Sequence, residues 1–274
     1  MDIADYANEV PAGSRLGSLD NYLRTCDLGA PIDMYRVSIS QILTYSTPER
    51  LRDNDFIGRL LVIGIVSSAE AYFRAVLSFC IEICPLARSN AARKTVNLGG
   101  LLWHGQVGFS RSAFEHASFA SKNELVSVTK EYIGFKMEDT VFLALLEQYE
   151  VVCQLRHGIV HGDGLLPGKN AVQLDIQRYD GPIRITIGYG ELQDIASVVS
   201  TLVMTFNREI FVLMCKRWAI DWRQRADWEP RLAYKMFGYI WKTFHSKEDW
   251  RLRRGRSHMN RSACLAKVEG QYNL

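Results

Sequence analysis

Residues 51–83 read LRDNDFIGRLLVIGIVSSAEAYFRAVLSFCIEI, and this stretch decides the fold class of the chain. It is the longest segment with a helical pattern, and Pro85 stops it because proline cannot continue a helix. Its middle, residues 60–66, is apolar on every side, which predicts burial against more than one neighbouring element. We therefore expect a helical core that is built around this segment.

Much of the remaining chain also carries apolar residues at the helical spacings of three and four. Further helices are predicted at residues 33–45, 121–132, 137–158, 191–216 and 229–244. One segment alternates instead with a period of two: residues 172–177 and 183–187 flank the turn Asp180-Gly181-Pro182, which predicts a small β-hairpin. The glycine-rich residues 97–109 are predicted as a loop. The sequence thus indicates a mainly α protein with one hairpin after its motif helix.

Composition places the chain among ordinary globular proteins. Of its 274 residues, 47% are hydrophobic and 23% are charged, which excludes a disordered or collagen-like chain. The net charge of +3 is too small to indicate a nucleic-acid partner, but residues 217–274 carry +7 and residues 1–216 carry −4. We expect an N-terminal arm with the first helix at 1–45, a helical domain at 46–216, and a basic, Trp- and Arg-rich helical extension with a tail at 217–274.

The six cysteines are scattered, and several lie within apolar stretches, which is unlike a secreted disulfide framework. The first residues are acidic and carry no apolar signal segment, and the most apolar window is followed closely by Glu70 and Arg74. These features predict a reduced, cytoplasmic protein without a membrane-spanning segment.

Catalytic side-chain types concentrate in one place, CQLRHGIVHGDG at residues 153–164. Arg156, His157, His161 and Asp163 bring a guanidinium, two imidazoles and a carboxylate to the end of an apolar helix. An imidazole exchanges protons near neutral pH, and a guanidinium holds two phosphate oxygens. Together these groups can transfer protons and hold a phosphate without a metal or other cofactor.

The spacing within this motif imposes a geometric condition. Five helical positions separate Arg156 from His161, which is a rotation of about 140° beyond one full turn. The two side chains therefore share one face only if the helix ends between them. We expect that ending at Gly158.

Arg156, four intervening residues and His161, with the polar His157 directly after the arginine, resemble the R-x4-6-H motif of HEPN domains. The resemblance covers residues 50–216 in architecture and about nine residues in motif. Arg111–His116 and Arg253–His258 have the same spacing, but only Arg156–His161 follows a long apolar helix and precedes a glycine-rich turn.

The resemblance implies an all-helical bundle that acts as a metal-independent endoribonuclease on an RNA substrate. It implies a homodimer whose two motifs face each other in one composite site. His161 would be the general acid/base, Arg156 the phosphate clamp, and His157 an orienting or assisting group, with Asp163 in support. HEPN nucleases commonly act as bacterial toxins or antiviral defence effectors, so an antitoxin or defence complex is a further expected partner.

Three other interpretations of the motif stay open. Arg156 can pair with an acid while the two histidines stabilise the C-terminal end of the helix. Cys153, His157 and His161 stand at i, i+4 and i+8 and can ligate zinc together with a fourth residue. A dimeric HEPN-like module can also bind RNA or a protein partner without cleaving anything.

Glu70 and Arg74 stand at i and i+4 on the long helix, which is the spacing of a stabilising ion pair. The alternative is that both residues line the groove opposite the motif as supporting residues. If Glu70 is buried there, it needs a cationic partner, and both Arg74 and Arg156 are candidates.

The C-terminal extension interleaves aromatic and basic residues, such as Trp218, Trp222 and Arg223. Stacking combined with phosphate contacts would bind single-stranded RNA, whereas tryptophans four residues apart are also typical of a packing stripe. The basic run at residues 251–256 adds Arg251, Arg253 and Arg254 as candidate RNA contacts, or a tail that is simply solvated.

Overall fold

The computed structural model describes residues 15–26, 28–52, 54–105, 108–177, 181–251 and 259–274. Within these ranges the protein is mainly helical and contains no β-strand, so the predicted mainly α class is confirmed. The helices are α1 Pro31–Thr44, α2 Pro48–Leu51, α3 Asp55–Ile83, α4 Pro85–Ala91, α5 Leu98–His104, α6 Phe109–Ser112, α7 Lys122–Val128, α8 Thr140–Gly162, α9 Gly168–Gln173, α10 Tyr189–Lys216, α11 Ala233–Phe244, α12 Lys247–Arg251 and α13 Arg261–Tyr272.

Helix α3 forms the centre of the bundle, and α1, α8, α10 and α11 pack around it. Its buried Phe73 contacts the rings of Tyr149 on α8 and Phe206 on α10 edge-on. Helices α3 and α8 run antiparallel, because Arg59 lies against Gly164 at one end and Glu70 lies near Arg156 further along. This pairing fixes the motif helix on the core and leaves its C-terminal end at the surface.

The long helix agrees with the prediction except at its start. The side chain of Asn54 accepts a hydrogen bond from the Ile57 amide, and α3 therefore begins at Asp55 rather than at residue 51. It ends at Ile83, before Pro85. By length and composition alone, α3 and the segment Tyr189–Asp221 are both apolar enough to cross a membrane. Both of them contribute buried side chains to the core.

The predicted loop at residues 97–109 is wrong for part of its length, since α5 occupies Leu98–His104. The Asn97 side chain accepts hydrogen bonds from the amides of Gly99 and Gly100, which satisfies two free donors of the first helical turn. The glycines of this segment predict a loop, but the N-terminal cap formed by Asn97 stabilises a helix instead.

The predicted β-hairpin is also wrong in the part of the chain that the structure describes. Helix α9 takes up the first predicted strand as far as Gln173, and residues 178–180 lie outside the described ranges. The second predicted strand is extended but pairs with the turn after α8, through an isolated antiparallel bridge between Leu165 and Arg184. The alternation there is real: Ile185 and Ile187 are buried, but against helices.

The C-terminal part continues the helical packing. Trp218 and Trp222 are buried, and Phe237 and Ile240 of α11 are fully enclosed. The tail was predicted to be solvated from Arg251 onward, but α13 forms at Arg261–Tyr272 and buries Cys264 and Val268. A solvated tail is therefore wrong for this helix. Residues 252–258 lie outside the described ranges.

Candidate active site

Helix α8 carries the motif and runs without interruption to Gly162, where Asp163 takes a left-handed conformation with φ of 49°. The predicted helix end at Gly158 is therefore wrong. Gly158 is buried, and a Cβ atom there would come within 2.7 Å of Ile185 Cδ1 and 3.3 Å of Pro167 Cδ. The glycine permits close packing of the chain that follows the helix rather than a break in it.

In the unbroken helix the motif side chains form two adjacent rows. His157 and His161 are one turn apart with their ring centroids separated by 4.6 Å, and both side chains are exposed. Arg156 lies in the neighbouring row, one turn before Val160. Ideal helix geometry places the Cα atoms of Arg156 and His161 about 8–9 Å apart along the diagonal. Because the helix is unbroken, Arg156 and His161 lie about 140° apart around its axis and do not share one face. Arg156 directly precedes His157 and is among its electrostatic neighbours. We call Arg156, His157, Val160 and His161 the motif patch.

Arg156 keeps its hydrogen-bonding capacity although 77% of its side chain is buried. Its Nη2 atom lies 3.9 Å from Glu70 Oε2, which is an electrostatic contact but too long for a hydrogen bond. Within the described ranges, the guanidinium nitrogens of Arg156 have no hydrogen-bond partner, and Nε is enclosed. A buried charge with so few partners is costly, and an incoming phosphate would satisfy it.

Glu70 contacts Arg156 rather than Arg74. Its Oε1 atom accepts a hydrogen bond of 3.1 Å from the amide of Ala120, which leaves Oε2 facing the guanidinium. Of the two candidate partners that the sequence left open, the structure therefore selects Arg156, and Glu70 supports the motif patch.

Arg74 serves another purpose. Its Nε atom donates to the carbonyl of Phe114 and its Nη2 atom to the carbonyl of Ala117, both at 3.0 Å. The guanidinium also lies over the Phe119 ring. These contacts hold the segment that leads into α7, so the predicted Glu70–Arg74 ion pair is wrong, and Arg74 is not part of the motif patch.

The electrostatic surroundings favour a neutral imidazole at His157. Partial burial, followed by the nearby His161, Arg156 and Lys169, lowers the pKa of His157 below its usual value. A histidine with a lowered pKa is unprotonated at neutral pH and can accept a proton. Lys169, at the start of α9, is a cationic neighbour that the sequence analysis did not single out.

Asp163 contributes backbone geometry rather than a carboxylate contact in the described residues. Its carbonyl accepts a hydrogen bond from Arg184 Nη1 at 3.3 Å, and its side chain is exposed. The following Gly164 also has a positive φ of 80° and lies against the side chain of Arg59. The left-handed pair turns the chain sharply away from the end of α8.

Arg59 is a second residue that sequence reasoning missed. It is almost fully buried, pairs with Asp55 one turn earlier, and donates a 3.3 Å hydrogen bond to the carbonyl of Ile185. It thereby connects α3 with the turn after the motif. The i, i+4 spacing of Asp55 and Arg59 was the available signal.

The structure separates Cys153 from the two histidines. Cys153 is buried, and burial raises the pKa of its thiol. His157 and His161 project to the surface instead. In the ranges that the structure describes, no group of three His, Cys, Asp or Glu side chains is placed to hold a metal ion. A zinc site on Cys153, His157 and His161 has no geometric support.

The aromatic and basic residues of the extension pack mainly on one another. The Arg223 guanidinium lies 4.7 Å from the Trp218 ring centroid and 5.5 Å from that of Trp228. Arg251 is exposed and pairs with Glu248 at 2.9 Å. Arg253 and Arg254, the other two candidate RNA contacts, lie outside the described residues. The packing role therefore holds for Trp218 and Trp222, which are buried, but not for Trp250, which is 61% exposed.

No family model matches the chain. No curated protein and no solved structure is significantly similar to it. Any assignment of function therefore depends on the motif patch and its geometry.

Proposed function

We propose that the chain is a metal-independent endoribonuclease of the HEPN type, with its active site at the motif patch. One observation supports the proposal: the Arg156 guanidinium has no hydrogen-bond partner among the described residues, and it directly precedes the exposed imidazole pair His157 and His161 at the same end of the helix. Cleavage of a phosphodiester needs a cation for the phosphate and two proton-transfer groups, and these residues supply both kinds of group.

In the proposed reaction the 2′-oxygen attacks phosphorus and the bond from phosphorus to the 5′-oxygen breaks. The neutral imidazole of His157 accepts the proton from the 2′-hydroxyl, and His161 donates a proton to the departing 5′-oxygen. Arg156 neutralises the charge that develops on the phosphorane. The products are a 2′,3′-cyclic phosphate and a free 5′-hydroxyl, so no external oxidant, reductant or metal takes part.

A second copy of the chain would close the site. The motif patch is an open surface and includes an apolar residue, Val160, which is 41% exposed. Burying this patch between two copies would exclude water and strengthen the electrostatic contacts to the phosphate. We therefore propose a homodimer with a composite site.

The cellular role follows from the HEPN resemblance alone. We propose a cytoplasmic toxin or antiviral defence effector, which an antitoxin or a larger defence complex restrains. The rival candidate, a non-catalytic binding module, is favoured by the Glu70–Arg156 contact, because a structural ion pair would be placed in the same way.

The test is incubation of the purified full chain with end-labelled RNA in EDTA, followed by mapping of the product ends. We expect cleavage that leaves 2′,3′-cyclic phosphates and that is lost in His161→Ala. His116→Ala is the matched control, because the exposed His116 belongs to a second pair with the same R-x4-H spacing. Cleavage that persists in His161→Ala, or the absence of cleavage in a folded dimer, would favour the binding module.

A further inference from the structure

A large cavity lies away from the motif patch, between the N-terminal end of α1, the C-terminal end of α3, and α11. Its volume is about 790 Å³, which is in the range of small-molecule sites. An adjoining cavity of about 370 Å³ shares Phe79 and Glu82 with it. No function described above uses either space.

One side of the larger cavity is apolar and aromatic. It consists of Leu28, Pro31, Phe79, Ile83, Met236 and Trp241. A flat ring or another apolar group would be buried against these side chains, although one face of the Trp241 ring already stacks on His245, with the ring centroids 4.1 Å apart.

Three cationic residues, Arg88, Lys242 and Lys247, also line this cavity. Arg88 Nη2 donates a hydrogen bond of 2.5 Å to the carbonyl of Glu82. No carboxylate among the described residues pairs with either lysine ammonium group. The carboxylate of Asp33 accepts hydrogen bonds from Ser246 Oγ and from the amides that start α12. The two lysines therefore bring unpaired positive charge to the cavity lining.

One carboxylate lies within the lining. Glu82 is half-buried, and its Oε1 atom accepts a 2.6 Å hydrogen bond from the Ser110 hydroxyl. A carboxylate has further acceptor positions, so Glu82 can still accept from N–H donors of a ligand ring. A long acyl chain would leave this charge without a partner, whereas a base edge with two adjacent N–H groups would satisfy it.

We propose that this cavity binds a purine nucleotide, with its phosphate at Lys242, Lys247 and Arg88, its ring against Phe79 and Trp241, and its N–H donors on Glu82. Guanine presents two adjacent donors on one edge and adenine does not, so the guanine nucleotide binds more tightly. The site is separate from the motif patch and does not depend on whether that patch cleaves RNA.

The first experiment is calorimetric titration of the full chain with guanosine 5′-monophosphate, adenosine 5′-monophosphate and inorganic phosphate. We expect guanosine 5′-monophosphate to bind most tightly and phosphate alone to bind at least about tenfold more weakly, because the apolar side contributes only to the nucleotides. Equal binding of phosphate and nucleotide would overturn the proposal. So would binding of a long-chain carboxylate in the absence of any nucleotide binding.

The second experiment uses charge reversal. The double variant Lys242→Glu, Lys247→Glu should weaken nucleotide binding at least about tenfold, since two charged contacts to the phosphate are lost. Lys235→Glu is the control, because Lys235 is an exposed lysine on α11, the helix of Lys242, and does not line the cavity. An equal loss of nucleotide affinity in the control would show that binding depends on the overall charge of the protein, and it would contradict a specific site in this cavity.

Glu82→Gln tests the base contact and keeps the oxygen that Ser110 needs. We expect it to reduce the preference for guanosine over adenosine 5′-monophosphate. An unchanged preference, with a folded protein by circular dichroism, would remove Glu82 from the site.

Discussion

Two buried arginines near the ends of long helices show opposite behaviour. Arg217, at the end of α10, is 7% exposed and donates from Nη2 to the Ile133 carbonyl at 2.6 Å and from Nη1 to Cys84 Sγ at 3.5 Å. Arg156, near the end of α8, is also mostly buried but has no hydrogen-bond partner in the described part of the chain. Burial alone does not distinguish the two arginines, whereas the use of their hydrogen-bond donors does.

The largest expected effect is on catalysis. Arg156→Met should reduce the rate of RNA cleavage by about 100- to 10,000-fold, in the range that removal of one catalytic group produces. Single-turnover cleavage of labelled RNA in EDTA measures it. Arg217→Met is the control, measured at a temperature where this variant remains folded, and it should leave the single-turnover rate nearly unchanged. An equal loss of rate in both variants would contradict a specific role of Arg156 in cleavage.

The same pair of variants should show the opposite order in stability. Arg217→Met leaves the Ile133 carbonyl without its donor and should lower the free energy of unfolding by about 2–4 kcal/mol. In a Glu70→Gln background, which leaves no buried carboxylate without its counter-ion, Arg156→Met should change it by less than about 1 kcal/mol. Urea denaturation measures both values. A large loss from Arg156→Met in that background would mark Arg156 as structural.

A smaller effect tests the unbroken helix beneath the motif. Gly158→Ala would place a Cβ atom 2.7 Å from Ile185 Cδ1 and should cost about 1–3 kcal/mol through overpacking. Gly162→Ala is the control in the same helix, because its Cβ atom would meet only ordinary contacts at 3.8 Å or more. Thermal or urea denaturation should show the loss in the first variant and none in the second.

The smallest effect concerns pH. Because the pKa of His157 is lower in the folded protein than in the unfolded chain, protonation favours unfolding. The free energy of unfolding is therefore unaffected by this group above the pKa of a histidine in the unfolded chain, about 6.5, and it decreases as the pH falls below that value. His157→Gln should therefore flatten the pH dependence of stability between pH 7 and pH 5. Identical pH profiles for the variant and the wild type would contradict the lowered pKa.

The sequence predicted the helical class and the central helix, because apolar periodicity and Pro85 are local signals. It also singled out Arg156, His157 and His161, but not Val160, in the motif patch. It did not predict the geometry of that patch, since a helix-ending glycine and a close-packing glycine look alike in sequence. The residue that distinguishes them at Gly158 is Ile185, which lies 27 positions later and meets the helix only in the folded chain.

The hairpin failed for a related reason. The alternation at residues 183–187 indicates which side chains are buried but not which element covers them. In the structure, helices cover Ile185 and Ile187. The choice of Arg156 as the partner of Glu70 was likewise beyond the sequence, because it depends on Arg74 being used by the carbonyls of Phe114 and Ala117.

Glu70 is a counter-ion for Arg156. At 3.9 Å its carboxylate attracts the guanidinium but leaves the guanidinium hydrogen-bond donors unused. A phosphodiester that binds there must compete with this carboxylate, and part of the binding energy is lost to like-charge repulsion between phosphate and Glu70. Under the proposed function, replacing Glu70 by glutamine would remove this repulsion and tighten the binding of RNA. The weaker binding in the wild-type chain would raise the KM of the proposed cleavage and speed product release.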